Sequence, residues 1–166
     1  MEIFNISYIK IITDSSGEWA YGRFVIVQMD NGDSPLNLQE VKAFGYRSEL
    51  KPVSATLSSG VGWGGVAANC IDGNSGPEVE TQCHSNNDRY PWIALDFGST
   101  AAIQRVEIFN RHECSSCWQR TKNVEVFVSN ILPTSASQKF SGGSLLGTFP
   151  GPGTSGQHII ISGGNL

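Results

Sequence analysis

The feature that most constrains this chain is its punctuation. Short segments rich in β-branched and aromatic residues, at 8–12, 24–29, 38–44, 92–97, 103–110, 123–129 and 158–162, are divided by clusters of Gly, Ser, Pro and Asn. Several alternate in hydrophobicity. Val124, Val126 and Val128 fall on one face of an extended chain and Glu125 on the other, which is the two-residue period of a strand in a sheet. No stretch keeps a long, capped helical period, and the clusters at 57–65, 72–76 and 142–156 read as turns and loops. The pattern predicts an all-β antiparallel β-sandwich, with loops gathered at its two ends where binding residues sit on a rigid support. Pro91-Trp92 opens an alternating segment, so Trp92 is expected in the core.

A chain of 166 residues fits a single domain, 1–166, with room for a real core. One internal echo bears on its ends. Gly22-Arg23-Phe24-Val25-Ile26-Val27-Gln28 resembles Gly156-Gln157-His158-Ile159-Ile160-Ile161-Ser162, yet only the first copy is followed by Leu36-Asn37-Leu38-Gln39-Glu40-Val41. Two readings stand open: a trimmed tandem array, or an opening segment, 1–46, that supplies the strand pair the C-terminus lacks. Because Met1 stands within what reads as a strand, the chain is expected to be part of a larger multidomain or tandem-repeat protein.

The formal net charge is -4 and no Lys/Arg cluster runs through the chain, so nucleic acid is not an expected partner. No apolar run is long enough to span a bilayer, and direct membrane insertion is not expected either. Four cysteines in two close pairs, Cys70 with Cys83 and Cys114 with Cys117, point to disulfides and to a secreted, extracellular or cell-surface protein. Zinc held by Cys70, Cys83, His84, Cys114 and Cys117 is the rival reading. It ranks second because only one pair has the C-x-x-C spacing, and the adjacent Cys83 and His84 would point to opposite faces of a strand.

Catalytic signatures are missing from the sequence. There are three histidines, His84, His112 and His158, with no nucleophile elbow, no phosphate-cradling glycine loop before a helix and no H-E-x-x-H motif. Asp96 and Glu113 have the residue types of a glycosidase pair, but Asp96 falls within a strand and nothing in the sequence joins them. The chain is therefore expected not to be an enzyme.

The order Ala68-Asn69-Cys70-Ile71-Asp72-Gly73-Asn74, Cys83-His84-Ser85, Pro91-Trp92-Ile93-Ala94-Leu95-Asp96 and Val106-Glu107-Ile108-Phe109-Asn110-Arg111 resembles discoidin-like, galactose-binding-like domains, and within them the F-type lectins, or fucolectins. That family is marked by a His, 26 intervening residues, Arg-x-Asp and a further basic residue. Here His84 is followed after 26 residues by Arg111. Glu113 then replaces the Asp, and Arg120 comes two places late. Cys114-Ser115-Ser116-Cys117 stands where the family often has adjacent cysteines, so a two-residue insertion accounts for the delay. The resemblance implies a jelly-roll sandwich, and leaves open whether residues 1–46 supply strands that lie at the C-terminus in relatives. It also implies a lectin for fucose or a similar terminal sugar, with fucosylated glycans as partners.

The chemistry suits that reading. A neutral sugar offers acceptors to which a His N–H and the planar forks of Arg111 and Arg120 are expected to donate, while Glu113 fixes a fork and Trp118 or Trp63 covers the apolar face. Asp72 and the asparagines flanking it are oxygen donors suited to a hard cation, and equally to a plain turn. The resemblance implies a structural calcium ion on Asn69, Asp72, Asn74 and Thr81, joined by Gln39 and Glu40. The alternative is a discoidin-like protein-interaction or adhesion domain that does not bind fucose.

Overall fold

The structure is a computed structural model, which describes residues 19–163 except 31, 61–62, 78–80 and 115. The strand expected at 8–12 lies outside the described residues. Ten strands are present among them: β1 (Ala20–Met29), β2 (Asn37–Phe44), β3 (Glu49–Leu50), β4 (Ser54–Leu57), β5 (Cys83–His84), β6 (Trp92–Ile103), β7 (Arg105–Asn110), β8 (Val124–Ser129), β9 (Ser144–Phe149) and β10 (His158–Ser162). Two short 3-10 turns, Ala67–Ile71 and Cys117–Arg120, accompany them.

The strands form two antiparallel sheets, one ordered β4-β6-β1-β8-β9 and the other β10-β7-β2-β3, with β5 also paired to β2. This is the expected all-β sandwich. Val25 and Val27 of β1, Val124, Val126 and Val128 of β8, and Ile93 and Leu95 of β6 face Leu38, Val41, Val106, Ile108, Ile159 and Ile161 of the other sheet. Each such buried aliphatic side chain contributes about 1.5–3 kcal/mol. Trp92 is buried as expected, but on the outer face of the first sheet. It packs there with Ile26, Ala94 and Phe127 beneath Leu132, Ala136 and Phe140, and its indole N–H donates to the Ser135 carbonyl at 3.2 Å.

Three elements depart from the sequence reading. The segment 142–156 is not all loop, because Ser144–Phe149 forms β9 beside β8. β6 runs past residue 97 to Ile103, with residues 97–100 standing out of its ladder to β1 where Gly98 takes a φ of 74°. β5 is only Cys83 and His84, held on one side by β2 and on the other by the His84 N–H donating to the Gly65 carbonyl at 2.9 Å.

A bulge in β2 re-aims two polar side chains. Leu38 pairs with Asn110 and Glu40 with Phe109, so Gln39 is the extra residue between them. Leu38 and Val41 can then both face the core, and Gln39 and Glu40 turn towards the loop that carries the first disulfide.

Candidate functional site

All four cysteines are in disulfides, Cys70 with Cys83 and Cys114 with Cys117, which removes the thiolates a zinc site would need. The first bond joins the turn Ala67–Ile71 to β5 inside the core. Cys83 enters the core while His84 leaves the other face of the strand, and His84 thereby reaches a surface pocket of about 490 Å³. The second disulfide forms part of that pocket's wall.

Around the pocket stand His84, Gln82, Arg111 and Arg120 as polar groups, with Trp63, Gly64, Gly65 and the Cys114–Cys117 disulfide as the remaining wall. The sequence pair His84 and Arg111 thus meets in space, with Arg120 joining from the turn Cys117–Arg120. Gly65 is required by space. A Cβ there would lie 2.6 Å from the Gln82 carbonyl oxygen and 2.8 Å from the His84 nitrogen.

Arg111 is 8% exposed and held on several sides. Its Nε donates to the Glu113 carbonyl at 3.1 Å, and its Nη2 is 3.8 Å from Glu113 Oε1, which also accepts from Gln82 Nε2 at 2.7 Å. Glu113 thus holds Arg111 through its backbone carbonyl, with its carboxylate only at ion-pair distance. Burial, offset by Glu113 and reinforced by Arg120, holds the Arg111 guanidinium below its ordinary value.

The expectation that His84 donates to a ligand is corrected by its own backbone. Its Nδ1 lies 2.7 Å from the Ser85 carbonyl oxygen, which only accepts, so Nδ1 carries the hydrogen. Burial, and then the charges of Arg111 and Arg120, hold the ring below its ordinary pKa despite that bond. A neutral ring with hydrogen on Nδ1 offers Nε2 as an acceptor.

The aromatic expectations divide. Trp118 does not line the pocket; it is half-buried, and its carbonyl accepts from Asn110 Nδ2 at 3.0 Å. Trp63 stands at the rim with 95% of its surface exposed, in a left-handed turn with φ 52°. Residues missed from sequence include Gln82, Gly65 and Asn110. Asn110 is wholly buried and staples the loop after β7: its Oδ1 accepts from Arg111 N and Thr121 Oγ1, and its Nδ2 donates to the Trp118 and Thr154 carbonyls. Its position immediately before Arg111 at a strand end was the available signal.

The residues expected around a cation are hydrogen-bonded in separate pairs. Both Glu40 oxygens accept from the Gly73 N–H at 3.3 Å, and Gln39 Nε2 donates to Thr81 Oγ1. Asn69 Nδ2 donates to the Gln82 carbonyl at 3.1 Å, Asn74 N to Asp72 Oδ1 at 2.7 Å, and Gly76 N to Asn74 Oδ1 at 2.9 Å. Glu40 is 2% exposed and has no ion pair within 4 Å among the described residues. Burial, with the nearby Asp72 charge, pushes its carboxyl up to about 7. A buried carboxylate without a counter-ion, near the Asp72 charge, has the chemistry of a hard-cation ligand, although no group of three or more Asp, Glu, His or Cys side chains gathers to hold a metal among the described residues.

Asp96 and Glu113 are not neighbours at the pocket, since Asp96 takes a paired hydrogen bond from Arg23 at 2.8 Å on the first sheet. No helix among the described residues is long and apolar enough to cross a membrane. No curated protein and no solved structure matches the chain significantly. The family model described as NedA-like, galactose-binding domain matches residues 69–158, which include β5 to β8 and the pocket's His84, Arg111 and Arg120, and the chain belongs to that family.

Proposed function

We propose that this chain is a carbohydrate-binding module, not an enzyme, that recognises fucose or a similar terminal sugar on glycans. The carrying observation is the pocket itself, which His84, with its acceptor Nε2, lines together with Arg111 and Arg120. A sugar hydroxyl can donate to the imidazole while accepting from a guanidinium, so one such group answers both. The apolar face of a deoxysugar has the Cys114–Cys117 disulfide and the exposed Trp63 for contact. Membership of a galactose-binding domain family is consistent with glycan binding in general, and the spacing from His84 to Arg111 supports the F-type reading within it.

Calcium belongs to the same proposal. Asn69, Asp72, Asn74, Thr81, Gln39 and Glu40 would hold it, and its role would be to neutralise Glu40 and brace the loop that reaches β5 through Cys70 and Cys83. The disulfides fit a secreted or cell-surface setting. β1 and β2, from the opening segment, pair with β6, β8 and β7, which supports their standing in for strands that end the chain in relatives. A glycan array probed with the wild type and with His84→Ala tests the function: binding to fucosylated glycans that the variant loses supports it. Wild-type binding to a protein partner and to no glycan would favour the discoidin-like interaction domain instead.

A further inference from the structure

Asn37 opens β2 and is 2% exposed. Its direct partner is His84, and directly opposed residues of an antiparallel ladder project from the same face. The next pair, Leu38 and Cys83, enters the core, so Asn37 and His84 project from the other face. On the opposite flank the neighbouring Leu38 pairs with Asn110, the residue before Arg111. Asn37 thus shares its face with the pocket residue His84, next to the strand end that carries Arg111.

Neither Nδ2 nor Oδ1 of Asn37 has a hydrogen-bond partner among the described residues. Glu113 Oε2, attached to the same group through Arg111, is likewise buried and unpartnered among them. A buried amide left unpaired is costly, and proteins keep such groups where a ligand or an ordered water completes them.

We infer that Asn37 is a further sugar-recognition residue, its amide reading a hydroxyl of the ligand from beneath the pocket lining beside His84. The inference rests on the carbohydrate reading above and narrows it. Asn37 Oδ1 and His84 Nε2 are both acceptors and need donors, which hydroxyls supply and a carboxylate or sulfate group does not. This pair of acceptors therefore selects a neutral polyhydroxyl ligand over an acidic sugar, although two arginines line the pocket. Asn37 lies one layer beneath the lining, and the same donor–acceptor preference holds whether the contact is direct or passes through one trapped water.

The test is calorimetry of L-fucose and its monodeoxy analogues on the wild type and on Asn37→Leu, with melting of the unliganded proteins. Replacing an unpaired amide by an apolar group of similar size is expected to leave the melting temperature equal or higher. Affinity for L-fucose should fall about tenfold or more, and one monodeoxy analogue that binds the wild type poorly should bind the variant as well as L-fucose does. Should Asn37→Leu fail to fold, Asn37→Ala removes Oδ1 and Nδ2 together and must abolish the same discrimination. If every analogue that binds the wild type poorly still binds the variant worse than L-fucose does, the inference is overturned while the carbohydrate reading stands. A wild type that binds no sugar overturns both.

Discussion

The Nδ1–H of His84 donates to the carbonyl of the next residue, Ser85, at 2.7 Å, and this bond fixes what the ring offers a ligand. Nε2 is left as an acceptor, and it remains one only while the ring is neutral. Burial and the charges of Arg111 and Arg120 keep it so by lowering its pKa from the ordinary 6.5.

The first prediction is a pH profile. A base whose folded pKa is depressed contributes stability that is complete above the unfolded value and lost as pH falls through the folded one. Sugar affinity should be flat above pH 6.5 and fall on the acid side of it, as protonation converts Nε2 to a donor and adds a third positive charge beside two arginines. His84→Ala should lose about tenfold or more in affinity and show no such acid limb. Calorimetric titrations between pH 5 and 8 would reveal it.

The second concerns Arg111. Its Nε is committed to the Glu113 carbonyl, leaving the terminal nitrogens for a ligand. Arg111→Lys keeps the charge but not the fork, and should cost about 1.5–3 kcal/mol, or roughly ten- to hundredfold in affinity. A lysine variant that binds as tightly as the wild type would mean that charge alone suffices.

The two disulfides should separate stability from binding. Cys70 and Cys83 are 13 residues apart and lie in the core, so replacing both by Ala should cost about 3 kcal/mol of stability and lower the melting temperature by several degrees. Cys114 and Cys117 are 3 apart and line the pocket, so Cys114→Ser with Cys117→Ser should leave melting nearly unchanged and weaken sugar binding. Paired melting curves and titrations distinguish the two effects.

Much of the sandwich was legible because β1, β2, β6, β7, β8 and β10 carry apolar runs of strand length between turn clusters, although only in β10 does burial alternate residue by residue. β9 was hidden by its glycines and serines, since Leu146 is its buried anchor and Gly147 leaves space that a Cβ would lose to Ile161. The two-residue β5 has no local signal, because its pairing is imposed by Asn37, Leu38 and Gly65 from distant parts of the chain. The meeting of His84 with Arg111 was readable as a spacing. The tautomer of His84 and the place of Asn37 depend on register and backbone, which residue types alone do not encode.

Calcium should stabilise the unliganded domain. Glu40 lies buried against Gly73 with the Asp72 charge nearby, so a bound cation removes a repulsion as well as a buried charge. By mass action a ligand at about a hundred times its Kd adds about 2.7 kcal/mol. A melting temperature that rises through a millimolar calcium titration and returns on chelation is expected, and Asp72→Ala should abolish the rise.

The proposed role of the pocket between His84, Arg111 and Arg120 is to bind a neutral terminal sugar. Isothermal titration of the disulfide-intact protein with L-fucose, in calcium buffer at neutral pH, measures that binding without an intermediary. Saturable binding at one site per chain is expected, with a Kd in the millimolar range or tighter, and it should be lost in Arg111→Lys. Absence of heat with L-fucose and with every other neutral monosaccharide at that concentration, from a protein that melts cooperatively, would contradict the proposal.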